Sequence, residues 1–323
     1  MKLLPSLLAA AALAAASAAV QAQVKWDMPA AYPATNFHSM NMQQFADEVD
    51  KASAGKLKIT VHPNASLYKA PEIKRAVQSG QAQLGEILLV NYQNEWQIFG
   101  ADGLPFLADS YAEAAKLYKI QKPLLEKKLG EQGMQLLYAV AWPPQGIYAK
   151  KVIASGADLK GIKWCAYSPS TARIAELVGA QPVTVQAAEL SQAMATGVVE
   201  SYMSSGSTGF DTKTYEHLKF YMDTQAWLPK NAVIMNKAAF AALDKPTQDA
   251  VMKAAADAEA RGWAASQKVN TDTLDKLKAN GMTIVTPSAQ LKADMKKVGD
   301  QMLKEWLEKA GPEGQSLVDA FRK

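Results

Sequence analysis

Helix-forming residues run almost without a break from Asp244 to Asn280. Asp244 is placed to cap this segment, Pro246 lies in its first turn, and Gly281 follows its last residues, as is typical of a helix end. Roughly 34 helical residues at about 1.5 Å each would span on the order of 50 Å, more than one lobe of about 130 residues. The segment therefore predicts a helix that runs across two lobes; the alternative is a pair of helices broken near Gly262.

Strands and helices alternate in two separate parts of the chain. Between Val24 and Leu89 the apolar pattern predicts strand, helix, strand, helix and strand, with Asn36 capping the first helix. This order favours an α/β lobe with a mainly parallel sheet. A second set of strands and helices follows Trp142, beginning with a strand at 162–167. The fold class predicted is therefore α/β, and no internal sequence repeat relates the two parts.

Two α/β lobes provide a natural ligand site in the cleft between them, because open parallel sheets bind ligands at the carboxyl ends of their strands. We predict two α/β lobes with a cleft between them. Lobe I would comprise residues 23–142 and 231–270, lobe II would comprise 143–230 and 271–305, and 306–323 would form a C-terminal helical tail.

The first 22 residues have the pattern of an export signal. Lys2 precedes an Ala- and Leu-rich run that ends in small residues at Ala22, as in secretory signal peptides. A membrane anchor is the alternative, but alanine-rich apolarity is weak and the segment closes at a cleavage site. We predict that 1–22 is a signal peptide and that the mature chain is periplasmic.

Composition excludes several classes of protein. The 49% apolar and 20% charged residues are globular values, and 35 basic against 31 acidic side chains, without a basic block, give no indication of a nucleic-acid partner. His38, His62 and His217 are too far apart in sequence for local metal ligation. No motif predicts a cofactor. Cys165 is the only cysteine, so we expect no internal disulfide and a buried or cleft position for its thiol.

Short motifs recur in a characteristic order through most of the mature chain. They are Gly55-Lys56-Leu57-Lys58-Ile59, Ser79-Gly80, Leu104-Pro105-Phe106, Asp158-Leu159-Lys160-Gly161-Ile162-Lys163, Val178-Gly179-Ala180 with Pro182, and Glu189 to Gly197 leading into Val199-Glu200. In this order, and followed by the long late helix, they resemble the extracytoplasmic solute-binding subunit of tripartite ATP-independent periplasmic (TRAP) transporters, the DctP-type family. The resemblance implies a periplasmic-binding-protein-like fold with a hinged cleft, in which two lobes close on a small solute and deliver it to TRAP membrane subunits.

The family's hallmark ligand contact is an arginine in the strand after a Leu-Lys-Gly turn, which pairs with a substrate carboxylate. Matching residues 159–161 to that turn puts Cys165 at the arginine position. A second family arginine position offers Gln145 or Tyr148 instead. The four arginines of the chain fall on no family ligand position; they are Arg75, Arg173, Arg261 and Arg322. Because a buried carboxylate without a partner costs several kcal/mol, an acidic solute is less expected than family membership alone suggests.

Two strands supply the leading candidates for the cleft. Alternation in the strand at 162–167 places Cys165 and Tyr167 on one side and Trp164 on the other, which favours a core position for Trp164. Glu86 lies in an otherwise apolar strand, where an ionised carboxylate needs a partner. Our hypothesis is that Glu86 receives a ligand ammonium or hydroxyl; the alternative is a structural bond to local backbone or a lysine.

Further candidate ligand-binding residues are aromatic walls and polar groups near the predicted cleft: Trp142, Tyr148, Tyr167, Trp227, Ser204, Asn36 and His38. Core packing or helix capping is the alternative role for each. A carboxylate and aromatic rings without an arginine favour a small amine or amino alcohol as the solute. A small organic acid or aromatic solute bound without the arginine is one alternative. Others are a signalling subunit of the same fold and a periplasmic enzyme that uses Cys165, but we expect no enzymatic activity.

Overall fold

The computed structural model describes residues 23–323, so the predicted signal peptide at 1–22 lies outside the described residues. The first strand group consists of β1 (Val24–Pro29), β2 (Leu57–His62), β3 (Leu84–Leu88), β4 (Met134–Ala141) and β10 (Lys230–Asn236). β1 pairs with β2 in parallel, whereas β10 lies between β3 and β4 and is antiparallel to both. The mainly parallel sheet predicted for the strands between Val24 and Leu89 is therefore wrong for β3. Its neighbour β10 returns from the far half of the chain and enters from the opposite direction.

The second strand group forms one mixed sheet in the order β11-β9-β5-β8-β6-β7. Its members are β5 (Gly146–Ala149), β6 (Lys163–Ala166), β7 (Gln181–Thr184), β8 (Ser201–Ser204), β9 (Phe220–Met222) and β11 (Thr283–Val285). β6 runs parallel to β7 and β8, while β5 is antiparallel to β8 and β9. The lobe boundaries stay a prediction. The division of the strands into two groups is compatible with them.

Nine α-helices surround the two strand groups within residues 23–323. They are α1 (Phe37–Ala52), α2 (Ala70–Gln78), α3 (Tyr111–Glu131), α4 (Pro169–Val178), α5 (Leu190–Ala195), α6 (Gly206–Asp211), α7 (Lys237–Ala241), α8 (Lys245–Ala279) and α9 (Ala289–Arg322). Asn36 caps α1 as predicted, because its side-chain oxygen accepts a hydrogen bond from the His38 amide at 2.9 Å. Among these described helices, none is long and apolar enough to cross a bilayer.

The long helix α8 is continuous over 35 residues, with Asp244 as its cap, so the alternative of two helices is wrong. Gly262 does not break it; instead, a Cβ at this position would approach a Val140 methyl group to 2.4 Å and the Asn41 amide nitrogen to 2.8 Å. The glycine thus lets α8 lie directly against β4 and α1. Farther along, α8 contacts α6 and β11, so it joins the two strand groups.

Residues 306–323, predicted as a C-terminal helical tail, lie at the end of α9. The helix is kinked at Gly311, where φ is 61° and ψ is −147°. Beyond the kink, Leu317 and Phe321 are buried in the same apolar cluster as Trp306, whose indole donates a hydrogen bond to the Gln97 carbonyl at 2.9 Å. The tail therefore packs on the body of the protein.

Candidate functional site

A small cavity lies between the two strand groups. Its volume is about 60 Å³. The walls are mostly apolar and aromatic and come from both groups, including Tyr32, Tyr92 and Trp142 on one side and Tyr167, Leu190 and Tyr202 on the other. The cavity suits one small, compact solute.

Glu86 is the only carboxylate among the described side chains that line this cavity, and none of them is Lys, Arg or His. It lies in β3, opposite Val233 of β10, and is only 3% exposed. Its Oε1 is 3.2 Å from Nδ1 of His38, which is itself buried. Its Oε2 has no hydrogen-bond partner within residues 23–323. One oxygen therefore has a histidine partner, whereas the other has none among the described residues.

Trp142 forms a fixed aromatic wall next to this pair. Its ring centroid is 4.3 Å from that of His38, and it packs edge-on against Tyr32 and Phe37 at 4.8 and 5.3 Å. The indole nitrogen donates a hydrogen bond to Asn231 Oδ1 at 2.9 Å. Because the ring is held on several sides, the cavity is preformed here.

The second strand group contributes Cys165 and Tyr167, on the side of β6 that the alternation predicts. Trp164 lies in the apolar core, and its indole donates to the Thr171 carbonyl at 3.1 Å. The Tyr167 hydroxyl donates to Gln145 Oε1 at 3.3 Å. The Cys165 thiol is 3.6 Å from the Val185 carbonyl, and burial raises its pKa to about 12. At neutral pH this position presents a neutral thiol to the cavity.

We expect Cys165 in the native protein to resist alkylation by iodoacetamide. With a pKa of about 12, only about one thiol in ten thousand is ionised at pH 8, and the thiolate is the reactive form. Mass spectrometry should show an unmodified native chain and one label on the urea-unfolded chain. Native labelling at the rate of a free thiol would instead support a reactive cysteine, as an enzyme would need.

The predicted site residues divide into two sets. The structure brings Glu86, Trp142, Cys165, Tyr167 and Ser204 to the cavity wall, whereas Tyr148, Trp227, Asn36 and His38 lie outside it. Tyr148 is stacked on Tyr202 with ring centroids 4.7 Å apart, and its hydroxyl donates to the Ser205 carbonyl at 2.9 Å. A ligand contact by any member of either set stays a prediction.

Asn36 and Trp227 make structural contacts instead of lining the cavity. The Asn36 amide donates to Asp211 Oδ2 at 2.7 Å, which links the start of α1 to the end of α6 and so joins the two strand groups. Trp227 is almost fully buried in the apolar core.

The wall residues that sequence reasoning missed include Tyr32, Asn91, Tyr92, Tyr202 and Thr208. Asn91 could have been predicted from the sequence, because this residue follows the carboxyl end of β3, where sheet proteins commonly bind ligands. Its Oδ1 has no hydrogen-bond partner within the described chain.

Arg173, in contrast, is not in the cavity wall. It bonds Glu305 and Glu176 at 2.7 and 2.8 Å on the surface of α4. In the described part of the chain, no three His, Cys, Asp or Glu side chains are grouped as a metal ion would require.

Known structures and one family model match the chain over most of its length. The model of bacterial extracellular solute-binding protein family 7, DctP, matches residues 30–310. The chain is 63% identical to DctP6, a Bordetella pertussis extracytoplasmic solute receptor binding pyroglutamic acid, with a TM-score of 0.91 over 93% of this chain and 99% of that one. It is 44% identical to DctP7, a receptor from the same organism described in the same words, with a TM-score of 0.91 over 93% of this chain and 100% of the other.

A third similar structure is a marine metagenome TRAP solute-binding protein specific for pyroglutamate, in complex with co-purified pyroglutamate. It is 45% identical, with a TM-score of 0.91 over 93% of this chain and 99% of that chain. The α/β fold class predicted from the sequence is confirmed by these matches, and so is the resemblance that the motifs indicated. Members of this family are extracytoplasmic binding proteins for transport. The chain belongs to the DctP family of bacterial extracellular solute-binding proteins, family 7.

Proposed function

We propose that this chain captures pyroglutamate, or a closely related small cyclic acid, in the cavity between the strand groups and delivers it to TRAP membrane subunits. One observation carries the proposal: three structures that are 44–63% identical to this chain, each over 93% of its length, have pyroglutamate as their solute. Export by the signal peptide at 1–22, cleavage after Ala22 and a periplasmic location are parts of the same proposal.

The cavity wall is compatible with the lactam ring of such a solute. The faces of the ring are apolar, and the rings of Trp142 and Tyr167 offer apolar surface from opposite strand groups. The lactam N–H needs an acceptor. Glu86 Oε2 and Asn91 Oδ1 are acceptors without partners in the described residues. Since a buried acceptor left without a hydrogen bond costs free energy, a solute N–H at this position would stabilise the complex.

The solute carboxylate would be held by neutral donors. No arginine lines the described cavity wall, and the resemblance puts Cys165 at the family's arginine position. The hydroxyls of Tyr32, Ser204 and Thr208 all belong to side chains of the cavity wall, and hydroxyls are donors to carboxylates. This arrangement selects a solute with one carboxylate and a polar ring edge over a dicarboxylate.

We propose that solute capture closes two lobes, with the boundaries predicted above, around this cavity. The hydrogen bond between Asn36 and Asp211 joins residues of the two proposed lobes. Hinge closure of this kind is common in periplasmic binding proteins.

We expect the purified chain to bind pyroglutamate stoichiometrically and to be stabilised by it. A ligand at 100 times its Kd raises the free energy of unfolding by roughly 2.7 kcal/mol, which thermal unfolding detects. Native mass spectrometry of untreated protein should also identify any solute retained during purification. 2-Pyrrolidinone, which lacks the carboxylate, and proline, which lacks the lactam carbonyl, are matched controls and should bind more weakly. A folded chain that ignores millimolar pyroglutamate would contradict the proposal.

A small amine or amino alcohol, the solute favoured by the sequence, is the second candidate. Glu86 supports it, because a carboxylate with a free oxygen among aromatic rings is suited to an ammonium group. An enzyme that uses Cys165 is disfavoured, since burial keeps the thiol protonated.

A further inference from the structure

The charge of the cavity presents a problem for an acidic solute. Glu86 is the only carboxylate in the described wall, and no Lys, Arg or His side chain accompanies it there. A pyroglutamate anion would place a second negative charge in the same small, poorly solvated space. Like charges in such surroundings repel strongly. A positive charge gained when the solute enters would offset this repulsion.

His38 can provide that charge without a large movement. Its Nδ1 is 3.2 Å from Glu86 Oε1, and the two side chains are 2% and 3% exposed. Its Nε2 has no hydrogen-bond partner within residues 23–323. Imidazole is the side chain that changes charge near neutral pH. One added proton converts the pair from a net charge of minus one to zero.

The groups that face the pair do not supply a compensating charge of their own. Tyr32, from the loop after β1, and Tyr138, from β4, are kept neutral because burial raises the pKa of each hydroxyl. Glu48 of α1 and Arg261 of α8 face Tyr138 and form an ion pair with each other at 2.7 Å. Asp211 of α6 adds a second carboxylate near His38. These surroundings therefore add no net positive charge to the pair.

We propose that His38 and Glu86 form a proton-binding site and that the solute anion enters the cavity together with one proton. This inference rests on the proposed acidic solute. It names a role for two buried side chains, of which His38 is outside the cavity wall. Because a solute anion favours the protonated pair, proton uptake and solute binding strengthen each other.

Linkage fixes the sign of the pH dependence. A complex that takes up a proton loses affinity as pH rises, by up to about tenfold per pH unit where a whole proton is taken up. An ammonium solute next to Glu86 would need no proton, so its affinity would not fall over the same range.

Isothermal titration calorimetry with pyroglutamate tests the inference. Titrations in phosphate and in Tris at the same neutral pH and ionic strength give the number of protons taken up, because the two buffers differ in ionisation enthalpy. We expect close to one proton per bound solute for the wild-type chain. We expect close to none for Glu86→Gln, which keeps the shape of the side chain without its charge. His62→Gln is the matched control and should behave as wild type. His62 lies away from the cavity, where its imidazole is 2.7 Å from the Asp27 carboxylate.

The outcomes separate the inference from the function on which it rests. Tight binding with no difference between buffers and with constant affinity between about pH 6 and 8 would overturn the proton site and leave the solute assignment standing. Wild-type proton uptake by Glu86→Gln, or its loss in His62→Gln, would also overturn it. No binding of pyroglutamate by a folded chain would instead overturn the proposed function.

Discussion

Replacing Asp102 with alanine is expected to lower the free energy of unfolding by about 3–5 kcal/mol, because the change leaves a buried ammonium without its partner. Asp102 lies in a 3₁₀ segment (Gln97–Gly103), and Lys230 begins β10. Their charged atoms are 3.3 Å apart, with side chains 1% and 0% exposed. Burial lowers the pKa of Lys230 and raises the pKa of Asp102, while the opposite charge of each partner offsets part of this shift.

Urea unfolding of matched variants measures this effect. Asp102→Leu combined with Lys230→Met should recover most of the lost stability, since two apolar side chains leave no buried charge. Lys230→Met alone should be destabilised, because Asp102 then lacks its counter-charge. Asp257→Ala is the control, since it breaks an exposed ion pair with Lys253 and surface pairs contribute little. A stable Asp102→Ala variant, or a double variant no better than the single one, would contradict the expectation.

The Asp102–Lys230 pair lies next to the cavity, so it affects the candidate site as well as the stability of the fold. Lys230 directly follows Pro229, which lines the cavity, at the point where the chain returns from the second strand group to the first. The Lys230 amide also donates to Asp102 Oδ2 at 2.7 Å. The pair therefore holds one edge of the cavity wall in place.

Features set by neighbouring residues could be predicted from the sequence. The ends of α8 follow from Asp244 and Asn280, because capping depends on residues within one turn. The side of β6 that carries Cys165 follows from strand alternation. The antiparallel place of β10 could not be predicted, because strand order depends on which distant segments pair, and no local pattern records that.

The candidate site shows the same limit. The need of Glu86 for a partner followed from its apolar strand, but the partner is His38 of α1, and only the packing of α1 against the first strand group brings the two together. Tyr148 and Tyr202 are stacked neighbours on paired strands, yet only Tyr202 reaches the cavity. Aromatic residues on buried strands carry no sequence signal that separates a core position from a cavity wall.

The two candidate solutes follow from different observations. The predicted match of Cys165 to the family's arginine position favours an amine, whereas the similar structures favour an acid. Both interpretations place the solute beside Glu86, but they require different properties of the Glu86 side chain. An ammonium needs the negative charge, while a lactam N–H needs only an acceptor oxygen, which a glutamine side chain also has.

Glu86→Gln is therefore expected to bind pyroglutamate at least as tightly as the wild-type chain at pH 8, because it keeps an acceptor oxygen and removes the charge that repels the anion. Binding of a small amine should fall by at least about 30-fold, since losing the partner of a buried charge costs roughly 2–5 kcal/mol. Calorimetry with both solutes, together with thermal unfolding to verify the fold, gives the answer. Because Glu86 Oε2 has no other partner in the described residues, the substitution should disturb the rest of the wall little. A folded Glu86→Gln variant that loses pyroglutamate would contradict this expectation, because it would show that the charge of Glu86 supports binding of the acid.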